Sequence, residues 1–210
     1  MTDRHLYAPL SLRATGLSCG RGGMALTSGL SFSVSNGQCL LLRGPNGTGK
    51  TTLLLTLAGV VTPLDGGFAL EGAGEDERVI HYCGHRNAVK PRLTVLENLT
   101  FWAGVNGRTG IGTQAALDDV GLGALGDLDA GYLSAGQSRR LALARLLVSH
   151  RPLWLLDEPT AALDTEGHDL VTRLIDQHLD SGGCAIAATH DPITLPDPAR
   201  METLVLGARP

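Results

Sequence analysis

Two clusters of residues in this chain have the types and spacing that phosphate chemistry needs. The first is Gly44-Pro45-Asn46-Gly47-Thr48-Gly49-Lys50-Thr51, followed by Thr52, which fits G-x-x-x-x-G-K-[ST]. Its glycines let the backbone curl so that successive N–H groups face phosphate oxygens. A helix opening near Lys50 adds the positive end of its dipole. Lys50 is suited to neutralise β- and γ-phosphates, and the Thr51 hydroxyl to ligate Mg²⁺. Of 17 basic residues only Lys50 and Lys90 are lysines, leaving fifteen arginines, so a lysine here runs against the composition. By itself this loop specifies a nucleoside triphosphate and no particular machine.

The second cluster is Leu153-Trp-Leu-Leu-Asp157-Glu158, an apolar run that delivers two carboxylates. Asp157 at its end can hold Mg²⁺ beside Thr51. Glu158, one residue on, points elsewhere and can polarise a water aimed at a γ-phosphate. Ala162-Leu163-Asp164 follows, and Ala188-Thr189-His190-Asp191 closes another apolar run. A histidine after a strand is more often structural. Behind a second buried strand beside the nucleotide, His190 is expected to sense the γ-phosphate.

These residues need elements to carry them. Leu10–Arg13 and Leu30–Val34 read as short strands around the Gly20–Gly23 turn, and Cys39–Arg43 as a strand running into the glycine loop. Thr51–Ala58 resumes as helix, and Val79–Cys83 is a further strand. From Leu93 to about Gly126 the pattern is helical but broken. Gln137–Ser149 is a helix with Leu141, Ala144 and Val148 on one face, which leaves Arg139 and Arg140 for solvent or a partner. Leu153–Leu156 and Cys184–Ala188 read as doubly buried parallel strands with active residues at their carboxyl ends. The expected layout is one α/β domain over 1–210, its core and antiparallel β part in 1–86 and 148–210, with a helical insert at 87–147.

Composition narrows the function classes. A length of 210 residues suits one hydrophobic core. The net charge is −4 with charges scattered, so no basic field points to nucleic acid. Cys19, Cys39, Cys83 and Cys184 form no CxxC pair and read as reduced, buried thiols. Met1–Leu12 shows no apolar leader, and no stretch nears the roughly 20 apolar residues of a membrane span. Any membrane role therefore calls for another chain to do the spanning.

Leu133-Ser134-Ala135-Gly136-Gln137 decides among the phosphate-loop classes. It resembles the LSGGQ signature of ABC ATPases, and Ser134 also stands where a helix N-cap would. With it the chain carries the family's ordered set over nearly its whole length: phosphate loop, signature, acidic strand, Asp164 loop and His190 switch. The resemblance implies a P-loop α/β fold of ABC type, with a mainly parallel core sheet, an N-terminal antiparallel β-subdomain and a helical insert. It implies an ATPase using Mg²⁺ and working as a homodimer. Leu133 to Gln137 of one copy would cap the nucleotide on the other, with Asp164 in an interface loop. Two positions depart from the family pattern. His85 stands on the usual Gln, a role counted with Lys50, Glu158 and His190 in catalysis, and Arg21 stands where an aromatic usually stacks on adenine, a job a planar guanidinium can do.

Tyr82-x-Gly84-His85, Lys90-Pro91-x-Leu93-Thr94, Glu97-Asn98-Leu99 and Phe101-Trp102-Ala103-Gly104 narrow the resemblance further. The set is similar to the ATP-binding subunits of bacterial haem exporters of cytochrome c maturation. That subgroup implies a peripheral subunit on the cytoplasmic face of the cell membrane, bound to integral-membrane partners; segment 87–104, with Phe101 and Trp102, is read either as their docking surface or as an ordinary part of the core. An exporter of another small molecule, or a soluble ABC ATPase of DNA repair or translation, is the alternative. A small-molecule kinase would have no use for the signature. His81, Cys83 and His85 alternate as ligands on one strand face would, but a strand edge entering a nucleotide loop is the simpler reading. No C-x-x-C-H occurs, and no haem is expected on this subunit.

Overall fold

A computed structural model describes residues 7–74 and 78–207. Residues 1–6, half of the Met1–Leu12 segment expected to hold no apolar leader, lie outside them. The chain divides into two compact units: the described residues of Met1–Gly84, Pro152–Glu158 and Thr172–Pro210, and those of His85–Arg151 with Pro159–Val171.

Both sheets belong to the first unit. Strands β1 (Ser11–Arg21), β2 (Met24–Ser35) and β4 (Asp65–Glu71) make an antiparallel sheet in the order β2-β1-β4. Strands β3 (Cys39–Arg43), β5 (Ile80–Cys83), β6 (Leu153–Asp157), β7 (Cys184–Ala188) and β8 (Met201–Val205) make a parallel sheet in the order β5-β6-β7-β3-β8. Every residue of β6 and β7 is buried, which is why they read as unbroken apolar runs. Leu12, Leu17, Leu42, Leu53, Leu57, Leu155 and Ile186 join both sheets and helix α1 (Lys50–Leu57) in one core.

β1 and β2 are far longer than the short strands expected from sequence. Register shifts between Ala14 and Leu17, Leu17 and Cys19, and Cys19 and Gly20 interrupt their alternation, and such bulges hide a strand from a period-two reading. β4 and β8 escaped it altogether: both are largely unburied edge strands, without the apolar run that marks a central one.

The second unit holds helices α2 (Val95–Asn106), α3 (Thr113–Asp119) and α4 (Ala135–Leu147), with Gly and Asp breaks between them. Helix α5 (Thr165–Asp180) starts in it. α2 and α4 each open with a full capping box, Thr94 with Glu97 and Ser134 with Gln137. Each box satisfies two backbone N–H donors that a bare helix start would leave open.

Candidate nucleotide site

Strand register builds the site. Asp157 and Leu42 both pair with Ala188, on neighbouring strands, so β3, β7 and β6 end level and side by side. The residues that follow those ends converge: the glycine loop after β3, Glu158 after β6, and Thr189-His190 after β7. This is the carboxyl edge of a parallel sheet, where α/β proteins place their ligands.

The glycine loop wraps the start of α1. Gly49 caps that helix with φ +95 and no side-chain hydrogen bond, so the first N–H groups keep no side-chain partner at the cap. A Cβ on Gly49 would sit 2.9 Å from Leu26 Cβ, and one on Gly44 (φ +140) would meet the Leu206 carbonyl at 2.3 Å. Only glycine fits either place. Lys50 is buried to 7% exposure, and its ammonium donates to the carbonyls of Gly44 (2.7 Å) and Pro45 (3.2 Å). The Thr48 hydroxyl donates to Pro45 O at 2.9 Å, tightening the turn.

The Thr51 hydroxyl lies 3.1 and 3.0 Å from the two carboxylate oxygens of Asp157. Glu158 carries the left-handed φ of +49, which a side chain rarely adopts. Its N–H donates to Ala188 O at 2.7 Å, so the turn is held by the neighbouring strand. His190, exposed, reaches across: its N–H donates to Glu158 Oε2 (3.3 Å), and its Nε2 lies 3.4 Å from Glu158 Oε1, 2.7 Å from Asn46 Oδ1 and 3.1 Å from Lys50 Nζ. An ammonium only donates, whereas the carboxylate only accepts. One ring nitrogen cannot satisfy both, and its proton decides which of the two it serves. Arg43 fixes the strand end beneath by donating to Thr189 O at 2.9 Å.

Within the first unit Thr51 thus meets Asp157, while His190 gathers Lys50, Glu158 and Asn46. Thr52 is buried in α1 beneath them, while Pro45, Asn46 and Gly47 form the exposed lip. Arg21 is exposed at the end of β1, opposite Met24. From the same hairpin Leu26 (39% exposed) approaches the glycine loop at Gly49, and Met24 (74% exposed) is a second exposed apolar side chain that sequence reasoning passed over. Their signal was an apolar pair at strand spacing beside the first glycine turn.

His85 lies past the end of β5, in an exposed bend of the second unit. The shared strand face imagined for His81, Cys83 and His85 does not exist, because the strand stops at Cys83 and both His81 and Cys83 are buried. Also in that unit, Leu133 precedes Ser134, whose hydroxyl accepts the Gln137 N–H at 3.2 Å, while Gln137 Oε1 accepts the Ser134 N–H at 2.9 Å. Ser134 and Ala135 stay exposed. Gly136 has room for little more than hydrogen: a Cβ would lie 3.0 Å from Ala162 O. Asp164 accepts the Gly167 N–H at 2.9 Å and pairs with Arg140 at 3.3 Å. That N–H bond first, and then Arg140, hold its carboxyl below the usual range. Arg139, left by the sequence for solvent or a partner, is instead buried within this chain at 2% exposure.

Residues 27–161 match the family model described as ABC transporter. The chain belongs to the ABC transporter family. Over 188 residues this ABC protein is 50% identical to the cytochrome c biogenesis ATP-binding export protein CcmA of Mesorhizobium japonicum, covering 88% of this chain and 94% of that one. It is 51% identical over 181 residues to the protein of the same name from Ruegeria pomeroyi, covering 86% and 85%. In fold it matches an ATP-binding cassette solved as a dimer in a post-hydrolysis state with ADP and phosphate (TM-score 0.74, 22% identity, 86% and 88% covered). It is an ATPase of the ABC-transporter type.

Proposed function

We propose that this chain is the ATP-hydrolysing subunit of the export machine of cytochrome c biogenesis, with haem as the cargo its motifs imply. The observation that carries this reading is near-half identity, over almost the whole chain, to proteins named for that export. The convergence of Lys50, Thr51, Asp157, Glu158 and His190 supports the chemistry. Among the described residues no helix is long and apolar enough to cross a membrane. In this reading, which rests on the likeness to export proteins, the subunit binds peripherally, at the cytoplasmic face, to integral-membrane partners through segment 87–104. Phe101 is exposed there, and Lys90 lies 4.3 Å over its ring.

In this reading the glycine loop receives the triphosphate. Lys50 trades two neutral carbonyls for phosphate oxygens, and charge-assisted bonds are roughly twice as strong as neutral ones. Mg²⁺ fits the oxygen pair of Thr51 and Asp157. With two hard protein ligands it would keep waters and phosphate oxygens in its remaining places, as Mg²⁺ does, and it would neutralise charge on the β- and γ-phosphates. Once a γ-phosphate draws the His190 ring away, Glu158 is released to take a proton from the attacking water. Ser134 has spent one lone pair on its own helix but keeps its O–H to donate to a partner copy's nucleotide, with Gly136 letting that nucleotide approach closely. Two ATP thus close a homodimer, and hydrolysis lets it reopen; the difference in ATP affinity between the two states does the work. His85 serves in place of the usual Gln, and Arg21 stacks on the base from the hairpin.

The test uses the tagged chain in its own host. Co-purification with membrane subunits of cytochrome c biogenesis, and loss of mature c-type cytochromes in a Glu158→Gln strain, are the expected results. Normal cytochromes in that strain would sink the proposal.

A further inference from the structure

Arg139 stands on the polar side of α4 by sequence, yet it is almost wholly buried. Its Nε donates to the carbonyl of Pro159, the residue after Glu158, at 3.1 Å, and its Nη1 donates to Asn87 Oδ1 at 3.1 Å. Asn87 is two residues after His85. A buried guanidinium is a costly way to fill space; what it supplies, and a hydrocarbon cannot, is a rigid fork of directed donors.

The two segments it grips are both held in unusual shapes. Glu158 and Ala162 have φ of +49 and +63, and Ala88 has +51, none of them glycine. Backbone of this kind persists only where its surroundings impose it. Around Ala88, Arg145 donates to Asn87 O at 3.2 Å and lies 4.1 Å over the Trp102 ring, whose N–H donates to Ala88 O at 3.3 Å. Around Ala162, the early turns of α4 bond the 159–164 segment twice, Arg139 to Pro159 and Arg140 to Asp164, and run so close that a Cβ on Gly136 would lie 3.0 Å from Ala162 O. Arg139 lies four residues after Ala135, about 6 Å along the helix from its start.

We propose that Arg139 is a positioning residue for ATP hydrolysis. It locks the start of the signature helix, the peptide that follows the base and the loop that follows His85 into one block. Ser134 and Gly136 then reach the partner copy's nucleotide with the Glu158–Pro159 peptide already fixed. This rests on the reading of Glu158 as base and of Ser134–Gly136 as the trans cap. The two bonds described, to Pro159 and Asn87, involve neither Lys50 nor Thr51, so Arg139 acts on turnover and not on ATP capture.

The experiment compares wild type, Arg139→Lys, Arg139→Met, Asn87→Ala and Glu158→Gln, each as full-length chain purified with its membrane partners. Lysine keeps the charge but cannot serve two acceptors with one planar fork. Arg139→Lys and Arg139→Met should each lower kcat at least tenfold, with KM for ATP within twofold and the melting temperature nearly unchanged. Asn87→Ala, which spares the Pro159 bond, should give a smaller fall in kcat alone. If the methionine variant does not fold, the lysine and Asn87 variants carry the test. A kcat for Arg139→Lys within twofold of wild type, or a rise in KM that matches the fall in kcat, overturns the proposal. Wild-type turnover by Glu158→Gln would instead remove the reading beneath it, and is seen independently of Arg139.

Discussion

The helices α1 and α4 begin in opposite ways. α1 starts at a left-handed glycine with no side-chain cap, so its leading N–H groups are held open by the shape of the loop. α4 starts at Ser134, whose hydroxyl and backbone N–H are both already engaged with Gln137. The first is an anion site made by leaving donors unfilled. The second is a finished, rigid turn that presents one spare hydroxyl proton. In the proposed function the open start would bind its own triphosphate, and the closed start would be offered to a neighbour's.

Mutations can break this contrast, beginning with the chemistry the open start serves. Glu158→Gln should cut phosphate release by about 10²- to 10⁴-fold while leaving ATP binding intact, as measured by turnover and equilibrium nucleotide binding. Gly49→Ala attacks the open start itself. A Cβ there collides with Leu26 in a left-handed backbone, costing roughly 1–2 kcal/mol, so ATP affinity should weaken about tenfold. Ser134 separates capping from recognition. Ser134→Ala loses the cap, about 1 kcal/mol in a melting curve, together with much of the turnover. Ser134→Asp keeps a capping oxygen and should melt like wild type, yet it sets a negative charge before the partner's phosphates and should not turn over. Thr94→Ala removes the equivalent box on α2; it should cost a similar ~1 kcal/mol and leave kcat alone.

The smallest effect is expected at Asp164. Its folded carboxyl titrates below the unfolded value of about 3.9. Its contribution is therefore present above that value and lost as pH falls through the lower folded one. The gap in melting temperature between wild type and Asp164→Asn should be constant above about pH 5 and close on further acidification. A gap that widens in acid would refute the bonding described for Asp164.

Legibility in the sequence follows the same contrast. The glycine loop and the acidic strand end could be read because each position needs one residue type and all are close in sequence or end one buried run. β3 and β7 match the expected ranges residue for residue, and Ser134 caps α4 as its type and place predicted. The long hairpin strands and the edge strands β4 and β8 were lost, for want of clean alternation or an apolar run. Arg139 was misplaced because its burial comes from Asn87 and Pro159, 52 and 20 residues away. A charge on the polar side of a helix carries no local sign that its partners will cover it. Leu26 was overlooked for a related reason: its nearness to Gly49 depends on how the hairpin is registered, not on its own segment.

The sulfur chemistry of the first unit has a practical consequence. All four cysteines are buried and none is in a disulfide, and burial pushes the Cys39 and Cys184 thiols up to about 12. Alkylation requires a thiolate within reach of the reagent, so the native protein should stay silent to maleimides at neutral pH. One cysteine introduced at the exposed Ala135 would then be uniquely addressable. A spin label or fluorophore there could time the meeting of two copies in the wild-type background, with no native sulfur removed first.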